Sequence, residues 1–278
     1  MKSEHILKVD NLVVGYDEKT VIHDVSLEIP NGKISVIIGA NACGKSTLLK
    51  AMTRIITPRS GLVTLDGKPI RSMHPKQLAR ICGLLPQDPV VPEGVTVSDL
   101  VARGRYPHQK FLQGQTKQDL EAVTEAMEIM DIIELANRGM NELSGGQRQR
   151  AWIATALAQQ TDILFLDEPT TFLDINYQVE ILDLMADLNQ HKQTTIVMVL
   201  HDINLAARYA DYLYAMKSGK LIAQGTPSDI VTEKLIMDVF GMKSRIISDT
   251  VSKSPYVIPI GRHFCDLSGI SRKEADFI

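Results

Sequence analysis

At 278 residues and 44% apolar composition, the chain is long enough to bury a sizeable core as one large domain or two small ones. Its 30 Lys plus Arg are balanced by 33 Asp plus Glu, a formal charge of -3, so no basic excess favours nucleic acid or an anionic lipid surface. The three cysteines, Cys43, Cys82 and Cys265, form no Cys-x-x-Cys pair, which argues against a zinc site or a disulfide framework and fits reduced thiols in a cytoplasm.

The start, Met1-Lys2-Ser3-Glu4-His5, has no signal-peptide apolar core, and the expectation is a chain that stays inside the cell. Residues 6–29 hold short strand-like runs separated by turn residues such as Gly15 and Asp17, which predict an antiparallel opening sheet. The run 34–38 reads as a buried strand, followed by a glycine-containing loop and a helix with Leu48, Met52 and Ile55 on one face. A hairpin strand is expected over 61–67, and helical spacing over 116–136 through Leu120, Val123, Met127 and Met130. A helix from about Gly145, a strand at 163–166, a helix with Ile181, Leu184, Met185 and Leu188, and a strand at 195–200 complete the pattern. Alternating strands and helices imply an α/β fold with a largely parallel sheet. The longest apolar runs, 34–38 and 194–200, fall far short of the ~20 residues a membrane-spanning helix needs. The tail 241–278, with Pro255 and Pro259, reads as a small strand-rich appendage.

Three segments carry chemistry. Gly39-Ala40-Asn41-Ala42-Cys43-Gly44-Lys45-Ser46, continued by Thr47, has the phosphate-loop spacing and sits between a predicted strand and a predicted helix. Backbone amides and the helix amino terminus can surround polyphosphate, while Lys45 reaches its terminal groups and Ser46 ligates magnesium. Ala42 stands where a glycine is expected, so the position is taken not to need a positive φ. Cys43 reads as small filler, not a catalytic thiol. At the end of the 163–166 strand, Asp167 and Glu168 supply the two carboxylates a phosphate-loop ATPase needs, one for the metal through a water, the other as general base. Taken alone that pair would be a solvated turn; the phosphate loop changes its meaning. Leu143-Ser144-Gly145-Gly146-Gln147-Arg148-Gln149-Arg150 is at the least a capped helix start, whose exposed amides also suit phosphate.

Together these segments resemble the Walker A, Walker B and signature motifs of ABC ATPases. The resemblance implies a phosphate-loop NTPase of ABC type with a mostly parallel sheet, an antiparallel opening sheet and a helical signature subdomain. It covers 1–240 as the ATPase domain, with the helical subdomain inserted at roughly 88–160 and the 241–278 tail packed on the same domain. It also gives roles to residues that mean little by themselves. Tyr16 falls where the family stacks an aromatic on adenine, Gln87 matches the Q-loop glutamine that contacts magnesium, and His201 matches the switch histidine at the terminal phosphate. Thr171-Phe172-Leu173-Asp174 is similar to the D-loop, with Phe172 where a small residue is usual.

By the same resemblance, ATP and Mg2+ are the cofactors, and each ATP is shared between Lys45, Glu168 and His201 of one subunit and Ser144, Gly145 and Gly146 of another. The implied partners are a second copy of the chain, integral membrane permease subunits and, indirectly, a substrate-binding protein, with no nucleic acid. The implied location is the cytoplasmic side of the membrane, held peripherally through the permease. Arg103-Gly104-Arg105-Tyr106-Pro107-His108 and Pro255-Tyr256-Val257-Ile258-Pro259-Ile260-Gly261-Arg262-His263 resemble the ATPases of importers for iron-siderophores, haem and vitamin B12. The first segment, with Gln87, is the expected dock for a permease helix. A phosphate-loop GTPase would bring an Asn-Lys-x-Asp segment, and a soluble ABC protein of DNA repair or translation a long coiled coil or two ATPase units; the sequence has neither.

Overall fold

The computed structural model describes residues 4–87, 89, 94–110, 114–171 and 173–261. Strands β1 (Leu7–Tyr16) and β2 (Lys19–Ile29) pair antiparallel, with Leu7 opposite Ile29. Leu7, Val9, Leu12 and Val14 of β1 are buried; the alternation slips by one residue at Asn11, whose φ is +47° at a register shift. Strand β3 (Ile34–Gly39) leads into α1 (Lys45–Met52), and β4 (Ser60–Leu65) with the two-residue β5 (Lys68–Pro69) completes the opening sheet in the order β2-β1-β4-β5. The predicted apolar face of α1 holds at Leu48 and Met52 but not at Ile55. The chain leaves the helix at Met52, Arg54 turns at φ +62°, and Ile55 is exposed.

Helix α2 (Pro75–Ile81) runs into β6 (Cys82–Leu85), and three helices follow: α3 (Val97–Arg103), α4 (Lys117–Ile129) and α5 (Gly145–Ala158). Each begins at a hydroxyl N-cap that exchanges bonds with its third helical residue, Thr96 with Asp99, Thr116 with Asp119 and Ser144 with Gln147. Gly104, just past α3, lets α3 and α5 approach closely: a Cβ there would lie 2.1 Å from the Thr155 carbonyl oxygen. Helix α4 is shorter than the expected 116–136 span, and Leu120 is exposed. Its buried arc centres on Ala122 and Ala126, small residues that let α5 come close and leave Leu120 at the edge.

The remaining elements are β7 (Ile163–Asp167), α6 (Ile175–Lys192), β8 (Thr195–Val199), α7 (Ile203–Tyr209), β9 (Tyr212–Lys217), β10 (Lys220–Gly225), α8 (Pro227–Ile230), α9 (Glu233–Phe240), and a hairpin of β11 (Ser244–Ser248) and β12 (Pro255–Pro259). The main sheet has the order β10-β9-β3-β8-β7-β6 and is parallel from β9 to β6, with β10 antiparallel at its edge. Strands β3, β7 and β8 are buried along their whole length, as a sheet covered on both faces requires. Side chains divide with period two: Leu164, Leu166, Ile196 and Met198 join the helical side, while Ile163, Phe165, Val197 and Val199 pack toward α1 and the opening sheet. Because β3, β6, β7 and β8 run in parallel, their carboxyl ends share one edge, where open α/β sheets place their ligands.

Candidate functional site

At that edge the phosphate loop leaves β3 through Gly39 and enters α1 through Gly44, the helix N-cap at φ +105°. A Cβ on Gly39 would stand 2.3 Å from the Met216 carbonyl oxygen, so the turn requires glycine. Ala42 corrects the sequence-based expectation. Its φ is +58°, in the left-handed region, so this alanine holds a conformation that suits glycine better. Lys45 is buried and its Nζ donates to the carbonyl oxygens of Gly39 (3.0 Å) and Ala40 (3.2 Å), which tethers the ammonium across the mouth of the loop. Asn41 to Thr47 line a cleft of about 490 Å³ together with Gln87, Glu168 and His201.

Two carboxylates stand at the end of β7, Glu168 lining this cleft and Asp167 buried behind it. Ser46 Oγ donates to Asp167 Oδ1 at 2.8 Å, while Asp167 Oδ2 is buried without a partner. Burial raises the Asp167 carboxyl above its ordinary range; the Ser46 hydrogen bond opposes this and the neighbouring Glu168 charge adds to it. An orphaned carboxylate oxygen beside a serine hydroxyl suits a hard divalent cation. Among the described residues no group of three or more His, Cys, Asp or Glu could hold a metal ion, so a cation here would complete its shell with phosphate oxygens and water.

Glu168, turned at φ +56°, divides its two oxygens. Oε1 meets His201 Nε2 at 2.6 Å, and Oε2 accepts from Gln87 Nε2 at 2.8 Å and Thr171 Oγ1 at 3.2 Å. Gln87 thus lies on the carboxylate here, 81 residues away in sequence, and not on Ser46 or Asp167. The register explains the convergence: Leu85 pairs with Leu166, and Asp167 with Val199, so residues just past β6, β7 and β8 meet at one level.

The other half of the expected site lies elsewhere. Ser144, Gly145, Gly146 and Gln147 open α5 and line a second cleft of about 530 Å³ with Asp131, Arg150, Leu173, Asp174 and Tyr177, none of which lines the first. Within one chain, therefore, the signature and the phosphate loop are not brought together.

Residues 22–171 match the family described as ABC transporter. The chain belongs to that family. It is an ABC ATPase, with ATP hydrolysis coupled to transport. The ferric enterobactin transport ATP-binding protein FepC of Escherichia coli (strain K12) is 49% identical over 256 residues, covering 92% of this chain and 94% of that protein. The petrobactin import ATP-binding protein FpuD of Bacillus anthracis has the same identity and coverage. Among solved structures, the dimeric bacterial ABC transporter cassette MJ0796 aligns with a TM-score of 0.70 at 27% identity, over 79% of this chain and 98% of that one.

Other expected residues of this ABC ATPase fall less simply. Tyr16 ends β1 with about half its surface exposed, outside the residues lining the cleft; Lys19, its partner across the hairpin, and Val21 line it instead. No motif marks those two, and only their place after the Tyr16 turn could have signalled them. Arg105 is not a docking side chain. It is 2% exposed, pairs with Asp119 at 2.8 Å and donates to the Ala158 carbonyl and Gln160 Oε1, which leaves Arg103 and Tyr106 as the exposed members of that segment. Phe172, Arg262 and His263 lie outside the described residues.

Proposed function

We propose that two copies of this ABC ATPase share two ATP sites and drive an importer of iron-siderophore complexes. The observation that carries the hydrolytic part is the placement of Glu168, its oxygens held by His201 and Gln87 beside the Ser46–Asp167 pair. Lys45 would bind the β and γ phosphates, with the loop amides around them. Ser46 and Asp167 would hold Mg2+, with Gln87 reaching it as the site fills; the cation would neutralise charge on the phosphates. Glu168 would take a proton from the attacking water as its oxygen bonds to the γ phosphorus and the bond to the β–γ bridging oxygen breaks. His201, held beside Glu168, would contact the γ phosphate, and Tyr16 would lie against adenine.

Separate clefts for the phosphate loop and the signature support a shared site, in which Ser144, Gly145, Gly146 and Gln147 of one subunit close on nucleotide held by the other. The ATPase domain runs to about residue 240, with its helical subdomain over roughly 88–160 and the tail packed on it. Among the described residues no helix is long and apolar enough to cross a membrane. By likeness to the import ATP-binding relatives, the chain would work peripherally, through permease subunits, on the cytoplasmic face. The siderophore cargo rests on the names of the relatives, since nothing in this chain would touch it. Two measurements test the whole reading: co-purification of the tagged chain with a permease from membranes, and uptake of ferric siderophore by cells carrying wild type or Lys45→Ala. A chain that recovers no permease, or uptake unaffected by Lys45→Ala, defeats it.

A further inference from the structure

His201 has little of its own to hold it. The side chain is 43% exposed, and its contact is the Glu168 carboxylate. Its position is therefore set by the backbone on either side. Upstream, Leu200 is buried and its amide donates to the Ile37 carbonyl at 3.3 Å, which fixes the end of β8. Downstream, Asp202 caps α7, its Oδ1 accepting from the amides of Asn204 and Leu205 at 2.8 and 2.9 Å. The first turn of α7 is thus the second anchor of the histidine.

That turn is gripped by the β11–β12 hairpin of the tail. Asn204 Oδ1 accepts from the Val257 amide at 2.7 Å and its Nδ2 donates to the Val257 carbonyl at 3.2 Å, so one side-chain amide satisfies both backbone groups of a single residue in β12. Val257 is 1% exposed and joins the large core, which makes the β11–β12 hairpin a firm abutment. On the other flank, Tyr209 donates to Asp183 of α6 at 2.7 Å and fixes the far end of α7.

We propose that Asn204 is a positioning residue and that the β11–β12 hairpin is a brace, which keeps His201 within hydrogen-bond distance of Glu168 by clamping the first turn of α7. The proposal rests on the hydrolytic roles given above to His201 and Glu168. It assigns a task to the tail, which carries none of the nucleotide motifs. Asn204 does not line the nucleotide cleft, so the brace acts on turnover and not on ATP affinity.

The test uses the full-length chain, with the His201 imidazole resonances followed by NMR at fixed pH alongside steady-state ATPase kinetics and thermal melting. Asn204→Ala removes both bonds; Asn204→Asp keeps the acceptor for the Val257 amide and loses the donor to its carbonyl. With Glu168→Gln as the reference for a disturbed pair, Asn204→Ala is expected to shift the His201 signals. It should lower kcat roughly fivefold with KM for ATP within about twofold, and Asn204→Asp should fall between it and wild type. His201 signals unmoved by Asn204→Ala, or a kcat that falls only in step with the folded fraction seen in melting, overturn the brace and leave the roles of His201 and Glu168 standing. Should Glu168→Gln itself turn over at the wild-type rate, the reading of the site fails, and the brace with it.

Discussion

Ser46 and Asp167, 121 residues apart in sequence, are joined by a 2.8 Å hydrogen bond across the first turn of α1 and the end of β7. That bond holds one carboxylate oxygen and leaves the other bare, so the pair is organised before any cation arrives.

Lys45 provides the first prediction. Its ammonium rests on the Gly39 and Ala40 carbonyls and supplies charge that the loop amides alone cannot. Lys45→Ala is expected to weaken ATP binding strongly and to abolish ATPase activity, read by nucleotide titration and phosphate release. Affinity and rate equal to wild type would mean the loop is not the phosphate site.

Glu168→Gln should separate binding from hydrolysis. The amide has nearly the size of the carboxylate but cannot take a proton from water, so Lys45, Ser46 and Asp167 would hold ATP uncleaved. Size measurement with magnesium-ATP, or occlusion of ATP in the assembled transporter, should reveal a trapped dimer. Adding Ser144→Arg should abolish it. Occlusion untouched by that second change rules out a shared site.

Ala42 offers a backbone test. Replacing it with glycine relieves left-handed strain but adds freedom to the unfolded chain, so the two effects offset and stability should change by less than about 1 kcal/mol. Valine, β-branched and ill suited to φ +58°, should cost roughly 1–3 kcal/mol and weaken nucleotide binding. Urea unfolding of the two variants decides; equal stabilities would place Ala42 outside the left-handed region.

The Arg105–Asp119 pair is nearly enclosed, with side chains 3% and 5% exposed. Arg105→Ala should destabilise the fold by about 3–5 kcal/mol, because Asp119 keeps a buried charge without its partner. The Asp119 carboxyl is held down at about 2, first by the Thr116 backbone amide and then by Arg105. Since the folded-state value is depressed, the stabilisation is complete above the ordinary carboxylate value of about 3.9 and is lost as pH falls through about 2. The stability gap between wild type and Asp119→Asn should therefore shrink between pH 4 and pH 2, on denaturant curves at each pH. A constant gap would contradict the assignment.

Local chemistry explains how much of the fold and site could be read in advance. The strand, loop, helix order around Lys45 and the Asp167–Glu168 pair at a strand end follow from short-range pattern, and both appear as expected. Arg105 did not yield to such reading, since a basic segment looks solvated until Asp119, Ala158 and Gln160 are seen around it. Leu120 misled because periodicity finds an apolar face but not which side the neighbouring alanines allow to close. The bond from Gln87 to Glu168 and the clamp of Asn204 on Val257 join distant segments, and only the sheet register and the hairpin bring them together.

The capping box at the start of α5 has a consequence for how one oxygen serves two neighbours. Ser144 Oγ accepts from the Gln147 amide at 3.3 Å, and Gln147 Oε1 accepts from the Ser144 amide at 3.1 Å. One lone pair of the hydroxyl is thus committed inward, while among the described residues nothing receives its hydrogen. A serine in that state ends its own helix and still faces outward as a donor, with no rearrangement between the two tasks. Aspartate would cap the helix as well but would present negative charge in place of that hydrogen, so α5 would form normally while an anion brought to its end is repelled.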